Sequence, residues 1–327
     1  MQEVEVRIIT NSNDIPPMEG SNVFHSRQLF CMYEQTPRIK PIMIVATKRG
    51  GTMVGHVLAT LRYRWTWLPP FLYTHCRIYG EGCYDTQISD KDKEEVFGKM
   101  LATLTHAMSY RALYVEWSNL SNKLFGYRHF RTNGYFPVHW MSIHNSLHSM
   151  APQERLSSKR INRIKAAESK GVTTVRVKND EDLEDFVRLL NRHNRMKPVI
   201  YIPDKEFFRG LKDRDEAALF VTRYQGKTIG CSSLLFSDND AFLWYTAFLR
   251  KRYIWLHPDL ITIWHAIDYS YKNGYSHIRF MDVGLPFKRN RFREFILGFG
   301  GKPVSVYRWF RCNVGWINRV LSWLFRD

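Results

Sequence analysis

Cysteine is scarce in this sequence and follows no pattern. Its five residues (Cys31, Cys76, Cys83, Cys231 and Cys312) form no Cys-x-x-Cys pair, and the count is odd. That argues against a zinc ribbon or a disulfide frame and fits a reducing compartment. No apolar run approaches the roughly 18 residues of a membrane span. The first residues, MQEVEVRIIT, include acidic side chains and lack the apolar core of a secretory leader, so a cytoplasmic protein is expected. Low-complexity segments are missing, and 44% hydrophobic residues suffice for a sizeable core. The twelve histidines contain no His-Glu-x-x-His. His139, His144 and His148 lie close together without the spacing, carboxylate or thiol of a metal site. Neither a metal nor a tightly bound cofactor is expected. No helix-turn-helix, finger or RNP pattern is present.

Acid is the other shortage. The chain of 327 residues has 48 Lys and Arg against 31 Asp and Glu, a net charge of +17. Residues 1–150 hold 16 basic and 12 acidic side chains, and residues 151–327 hold 32 and 19. The second half therefore calls for an anionic partner: phosphate, nucleic acid, cofactor or lipid surface. Its charge peaks at Ser157–Val172, SSKRINRIKAAESKGV, with Arg155 just before it. Ile161, Ile164 and Ala167 give this stretch helical spacing, and Gly171 is a natural stop. Arg155, Lys159 and Arg163 fall at i, i+4 and i+8, a basic stripe. It reads as a nucleic-acid grip, an anion-binding helix between two domains, or a solvated face.

The chain also repeats itself. VATKRGGTMVG (Val45–Gly55) and FVTRYQGKTIG (Phe220–Gly230) share Thr, a basic residue, Gly, an aliphatic residue and Gly at one offset of 175 residues. Each predicts strand, tight turn, strand, with Gly51 and Gly226 in the turns. Other parts recur in the same order. Val4–Ile9 and Thr174–Val177 read as strands, followed by polar caps at Asn11–Asp14 and Asn179–Asp180. Leu183, Phe186, Val187 and Leu190 mark a helix. Helix then strand is expected at Val96–Tyr110 and Ala112–Trp117, and again at Asp259–Lys272 and His277–Val283. Each half closes on a glycine-aromatic element, Asn133–Val138 and Gly298–Val304. The expected fold is α+β: two tandem domains, 1–150 and 151–327, each a mixed, mostly antiparallel sheet with flanking helices. The second opens with the basic helix, 155–171.

This duplicated order resembles the tandem acyltransferases of the GNAT fold, specifically the FemAB-like group. The resemblance covers nearly the whole chain. Its motifs stand here as Lys165-Ala-Ala-Glu-Ser-Lys-Gly171, Phe24-His-Ser26, Gly274-Tyr275, Asp282-Val-Gly284 and Phe295-Ile-Leu-Gly-Phe-Gly300. It implies an N-acyltransferase moving an acyl or aminoacyl group from acyl-CoA or aminoacyl-tRNA to an amine, with tRNA among the possible partners. It also raises a role in cell-wall synthesis. There are departures. The peptidoglycan-bridge enzymes usually carry Lys where this chain has Ile296, and the long helical hairpin of some tRNA-using members has no counterpart. The acetyl-CoA fingerprint of simple GNAT enzymes is absent from the loop before Asp259, LRKRYIWLHPD.

Amide formation needs a deprotonated amine, a stabilised oxyanion and a protonated leaving group. Asp282, at the end of an expected strand, is the candidate base; its bland reading is a loop cap. Tyr245 is a candidate proton donor, or a packing residue of its strand. Lys159, Arg160, Arg163 and Lys288 are candidate donor or substrate ligands. Arg250, Lys251 and Arg252 join them, just ahead of a helix start that would bind phosphate, or form an exposed basic loop. Arg192, Arg195 and Lys197 follow a helix end and need no ligand. A last amphipathic helix, 314–326, sets Val314, Ile317, Leu321 and Leu324 with Trp316 and Trp323, and Arg319 and Arg326 opposite. It would dock on the first domain or make peripheral membrane contact. The rivals to acyl transfer are a non-enzymatic nucleic-acid-binding protein and a degenerate GNAT scaffold.

Overall fold

The structure is a computed structural model. It describes residues 4–18, 20, 22–65, 72–195, 201–281 and 283–325. The chain divides into two units, Met1–Trp140 with Ser305–Asp327, and Met141–Val304.

The first unit runs β1 (Val4–Ile9), α1 (Arg27–Glu34), β2 (Ile39–Lys48), β3 (Met53–Trp65), β4 (Leu72–Tyr79), β5 (Cys83–Tyr84), α2 (Asp90–Met108), β6 (Tyr114–Ser118), α3 (Tyr127–Thr132) and the start of β7 (Phe136–Ser146). The second contains α4 (Ser158–Ser169), β8 (Thr173–Arg176), α5 (Asp180–Asn194), α6 (Lys205–Lys212), β9 (Ala217–Tyr224), β10 (Lys227–Ser237), β11 (Asp240–Phe248), α7 (Pro258–Lys272), β12 (His277–Phe280) and α8 (Arg291–Leu297). The chain then enters β13 (Lys302–Cys312), returns to the first unit at Ser305, and ends in α9 (Gly315–Leu324).

The repeat is structural. In both units a strand, helices and an antiparallel hairpin lead to a third antiparallel strand. A long helix follows, then a strand lying parallel to that third strand. The hairpins match in detail. β2 and β3 shift register at Val54, between Thr47↔Met53 and Ala46↔Gly55. β9 and β10 shift at Ile229, the equivalent residue, between Arg223↔Thr228 and Thr222↔Gly230. The turn of the second hairpin holds Gln225 and Gly226 at φ 48° and 73°, the left-handed pair of a two-residue loop.

The glycine after each bulge repeats because a neighbour presses on the strand. A Cβ on Gly55 would meet the Tyr84 ring at 2.8 Å. One on Gly230 would collide with Thr262 of α7, whose hydroxyl pairs with that of Thr222 at 2.8 Å.

Caps set the helix starts. Ser26 and Ser89 accept from Leu29 N and Asp92 N, and Asn179 accepts from Asp182 N. The Ser89 cap starts α2 well ahead of the expected Val96, because its first turns are charged and carry no apolar period. Core residues divide by unit. Phe97, Met100, Leu104, Trp117, Phe130 and Trp309 fill the first, and Phe220, Ile229, Ile263, Ile278, Ile296 and Phe299 fill the second. Among the described residues no helix is long and apolar enough to cross a membrane.

This packing makes two changes measurable. Gly230→Ala should destabilise the protein by about 1–3 kcal/mol, the usual cost of overpacking, read as a lower denaturation midpoint with unchanged slope. The second concerns His25 and His56, both buried. Burial pushes His25 down to about 3 and His56 to about 4 from an ordinary 6.5. His25 Nδ1 also accepts the Leu58 N–H at 3.0 Å, which only the unprotonated nitrogen can do. The unfolded chain binds more protons than the folded one below 6.5, so stability falls as pH drops from 6.5 towards 4. The slope is roughly 1.4 kcal/mol per pH unit for each group. Melting measured across that range should show it, and His56→Gln should flatten it.

Candidate functional site

In the second unit β11 and β12 start as parallel neighbours, Asp240↔His277 through Leu243↔Phe280, and the ladder ends there. At the same level β11 carries a bulge. Leu243 pairs with Leu234 and Tyr245 with Ser233, leaving Trp244 as the extra residue. A bulge bends its strand and sharpens the local twist, and this one falls where the β11–β12 pairing of the described residues stops. Beyond the bulge, β11 leads through Leu249–His257 into the N-terminus of α7, and β12 leads to Gly284.

Positive charge gathers at that helix start. Arg250, Lys251 and Arg252 are exposed on the loop, and Arg250 Nε lies 3.2 Å from Asp259 Oδ2. His257, with φ 46°, precedes Pro258. Its pKa is lowered, first by burial and then by Arg163, with Arg250 and Lys170 contributing and Asp259 opposing. Arg163 and Lys170 come from the basic helix α4 and the stop that follows it. Two basic groups distant in sequence thus meet at one helix N-terminus, where the helix dipole favours an anion; Pro258 brings no N–H there, and Leu260 N donates to Asp259 Oδ1 at 3.0 Å.

The first unit treats the equivalent place differently. There β4 and β6 pair through Tyr79↔Ser118, and Gly80 N continues to Ser118 O at 2.6 Å. Trp117 Nε1 donates to Gly80 O at 2.5 Å. Glu81 accepts from Ser121 N and Oγ at 2.8 and 2.6 Å, and its carboxylate lies 3.2 Å from Lys93 Nζ of α2. The carboxylate bridges the place. The approach to α2 carries Asp85 and no Lys or Arg, and the first turn alternates Asp90, Lys91, Asp92 and Lys93.

The sequence-predicted residues separate into groups. Lys159 and Arg163 are exposed on α4. Arg160 is not on the solvated stripe: its Nη2 donates to Phe295 O at 2.7 Å, and its guanidinium lies 4.4 Å from the Phe299 ring centre. Burial lowers its pKa. Gly298 has no room for a Cβ because the Arg160 fork occupies it. Arg155 is fixed too, by Asn145 Oδ1 at 2.9 Å and Ser149 Oγ at 2.8 Å. The closing motif Phe295–Gly300 is therefore the seat of two arginines. Ile296 within it is fully buried in the core, a position that would penalise the charge of a lysine.

Tyr245 sits on β11 directly after the bulge, buried with its ring edge-on to Phe208 of α6 at 5.4 Å. Lys288 is exposed on a loop held by Arg293, which donates to Leu285 O at 2.6 Å and Lys288 O at 2.9 Å. Asp282, Lys197 and Arg326 lie outside the described residues. Sequence reading missed Ser232 and Ser233 on β10, paired with Thr246 and Tyr245, whose buried hydroxyls have no hydrogen-bond partner among the described residues. It also missed Arg293. None has a neighbour in sequence that marks it. Among the described residues no group of three or more His, Cys, Asp or Glu is placed to hold a metal.

Residues 153–289 match the family described as the acetyltransferase (GNAT) domain. The second unit has the GNAT fold. Over the whole chain the tandem GNAT fold recurs in solved structures. FemX shares it with a TM-score of 0.60 and 11% identity, over 94% of this chain and 95% of that one. L-PGS from Bacillus licheniformis has a TM-score of 0.57 and 11% identity, over 94% of both chains. A tandem GNAT protein from the clavulanic acid biosynthesis pathway has 0.57 and 10% identity, over 95% of this chain and 99% of that one. No curated protein sequence matches the chain.

The contrast between Arg160 and its neighbours on α4 is testable on stability alone. Arg160→Ala should destabilise the second unit by roughly 2 kcal/mol, the order of a charged hydrogen bond with a cation–π contact. Lys159→Ser and Arg163→Ser should leave the melting temperature nearly unchanged, since exposed charges contribute little. Thermal melts of the three single variants make the comparison.

Proposed function

We propose that this chain is an N-acyltransferase whose working site is in the second unit. It moves an acyl or aminoacyl group from an activated donor to an amine. The observation that carries the reading is the bulge of β11 where its described pairing with β12 stops, beside a basic helix start in the GNAT-matching segment, when the first unit bridges the same place with Glu81. We take the donor to be acyl-CoA or aminoacyl-tRNA, both of which bring phosphates to the α7 N-terminus. Arg163, Arg250, Lys251 and Arg252, with Lys159 at the rim, would hold those phosphates as charge-assisted donors. Lys288 is assigned to the acceptor side, where a nucleotide-linked acceptor would also present phosphate. Both donors place the reaction in the cytoplasm.

The amine nitrogen attacks the donor carbonyl, and a backbone N–H of β11 beyond the bulge stabilises the oxyanion. Asp282, directly or through water, takes the amine proton. The tetrahedral adduct collapses by breaking the C–S bond of acyl-CoA or the C–O bond of aminoacyl-tRNA, and the leaving group takes up a proton. Tyr245, buried against Phe208, shapes the bulge.

Mass spectrometry of small molecules retained by the purified protein, followed by transfer assays with labelled acyl-CoA and charged tRNA pools, identifies the donor. Asp282→Asn should then lower kcat by roughly 10²–10⁴-fold, with donor KM little changed and the loss shrinking at high pH. Arg163→Ser and Arg250→Ser should raise donor KM, and added salt should mimic them. Failure of every donor class overturns the acyl-transfer reading. An Asp282→Asn variant with full activity and intact melting overturns the assignment of the base.

A further inference from the structure

One end of the first unit's sheet exposes apolar side chains to water. β3 and β4 finish their pairing at Trp65↔Leu72. β4 runs parallel to β6 from His75↔Tyr114, so that end of β4 lies beside the turn that carries Tyr110 and Arg111. Thr74 Oγ1 donates to Arg111 O at 2.5 Å, and Leu113 N donates to Thr74 O at 2.8 Å. β13 reaches the same level at Cys312↔Tyr114, and Asn313 N donates to Leu113 O, just before α9 begins. The β3–β4 end, the α2–β6 turn and the root of α9 therefore leave one end of one sheet. Trp65 is 70% exposed, Leu72 51% and Tyr110 99%.

α9 adds the larger part. No residue of it is buried. One side holds it to the unit: Asn318 Nδ2 donates to Gly134 O at 2.9 Å, Cys312 N donates to Asn318 Oδ1 at 2.9 Å, and Phe325 stacks on Phe136 at 5.8 Å. The other side presents Trp316, Val320, Trp323 and Leu324 at i, i+4, i+7 and i+8, each at least 50% exposed. Arg319 is exposed on that same side, not opposite the tryptophans as the sequence pattern suggests. The helix is thus apolar on both sides and covered on one, which is unusual for a helix meant to face water.

We propose that this end of the first unit rests on an anionic lipid bilayer. The indoles of Trp316 and Trp323 would sit at the boundary between headgroups and acyl chains, where an apolar ring with a polar N–H is favoured. Charge selects this occupant. Arg319 and Arg111 are exposed at the same end, as are Arg38 and Lys40 where β2 begins, Ile39 being paired with Arg62. These cations complement acidic headgroups. A second copy of the chain would bring them against their own kind.

The test uses the full chain and sedimenting vesicles of phosphatidylcholine with or without phosphatidylglycerol. Binding should require phosphatidylglycerol, weaken with salt, and blue-shift the tryptophan emission. Trp316→Ser with Trp323→Ser should weaken it by roughly tenfold or more, and Arg319→Gln by roughly fivefold. Melting should stay as in the parent, because α9 buries no side chain. Brominated acyl chains should quench the parent protein's fluorescence, a readout that needs no substitution. The proposal is overturned if anionic vesicles do not pellet the protein, if brominated lipid does not quench it, or if the double variant binds undiminished. It is equally overturned if the protein forms a dimer that the double variant abolishes while vesicles go unbound.

Discussion

Among the described residues the parallel ladder of β11 and β12 has four pairs, and it ends level with the bulge of β11. Neighbouring strands in a sheet normally stay paired, because each unmade backbone hydrogen bond in a buried place costs about 1–3 kcal/mol. The bulge at Trp244 turns β11 away at the point where β12 ends its pairing. Beyond the bulge β11 leads to the start of α7. An unpaired strand edge and a helix N-terminus both present backbone N–H groups. Anion recognition and oxyanion stabilisation therefore need few diagnostic side chains, which is why the chemistry leaves so faint a trace in the sequence.

Duplication gave the chain two such places, and their divergence is a matter of charge and closure. Both units keep the hairpin, its bulge and the crowded glycine. In the first, Glu81 spans the gap to Ser121 and pairs with Lys93, so the helix start already has its anion. In the second, Asp259 at the helix start pairs with Arg250, and burial, then Arg163, Arg250 and Lys170, lower the His257 pKa.

The hairpin repeat and the Gly171 stop were legible because local rules govern them: a turn needs its glycine, a helix its period and its end; α7 was legible as a helix, but it starts at Pro258 after a left-handed His257 and not on an Asp259 cap. The tandem GNAT fold followed from their order. The bulge was not legible, since an extra residue in a strand carries no required side chain. Nor was the fate of Arg160. On α4 it reads as one more surface cation, and only the position of Phe295 and Phe299, far along the chain, draws it inward. Glu81 was hidden for the same reason. The placement of Ser305–Asp327 in the first unit depends on β13 pairing with the distant β6, a choice no local pattern announces.

Net charge was informative only after burial was known. The first half, with 16 basic and 12 acidic side chains, looked unremarkable, yet its sheet face buries Arg62, Arg64 and Arg77, with Arg308 from β13. Arg77 and Arg308 are drawn to Glu116, and His75 Nε2 lies 3.2 Å from the same carboxylate. Aromatic faces take further contacts, with Arg77 4.5 Å from the Tyr79 ring centre and Arg308 3.9 Å from that of Trp140. Burial first, then Arg62, Arg77 and Arg64, hold the His75 pKa well below its usual value, so the imidazole adds no charge of its own. Guanidinium suits such a place because it is planar, weakly hydrated and able to stack while donating at its edge. These arginines are spent on architecture. Lys159, Arg163, Arg250 and Lys251 keep their charge at the surface, where water and dissolved anions can reach it.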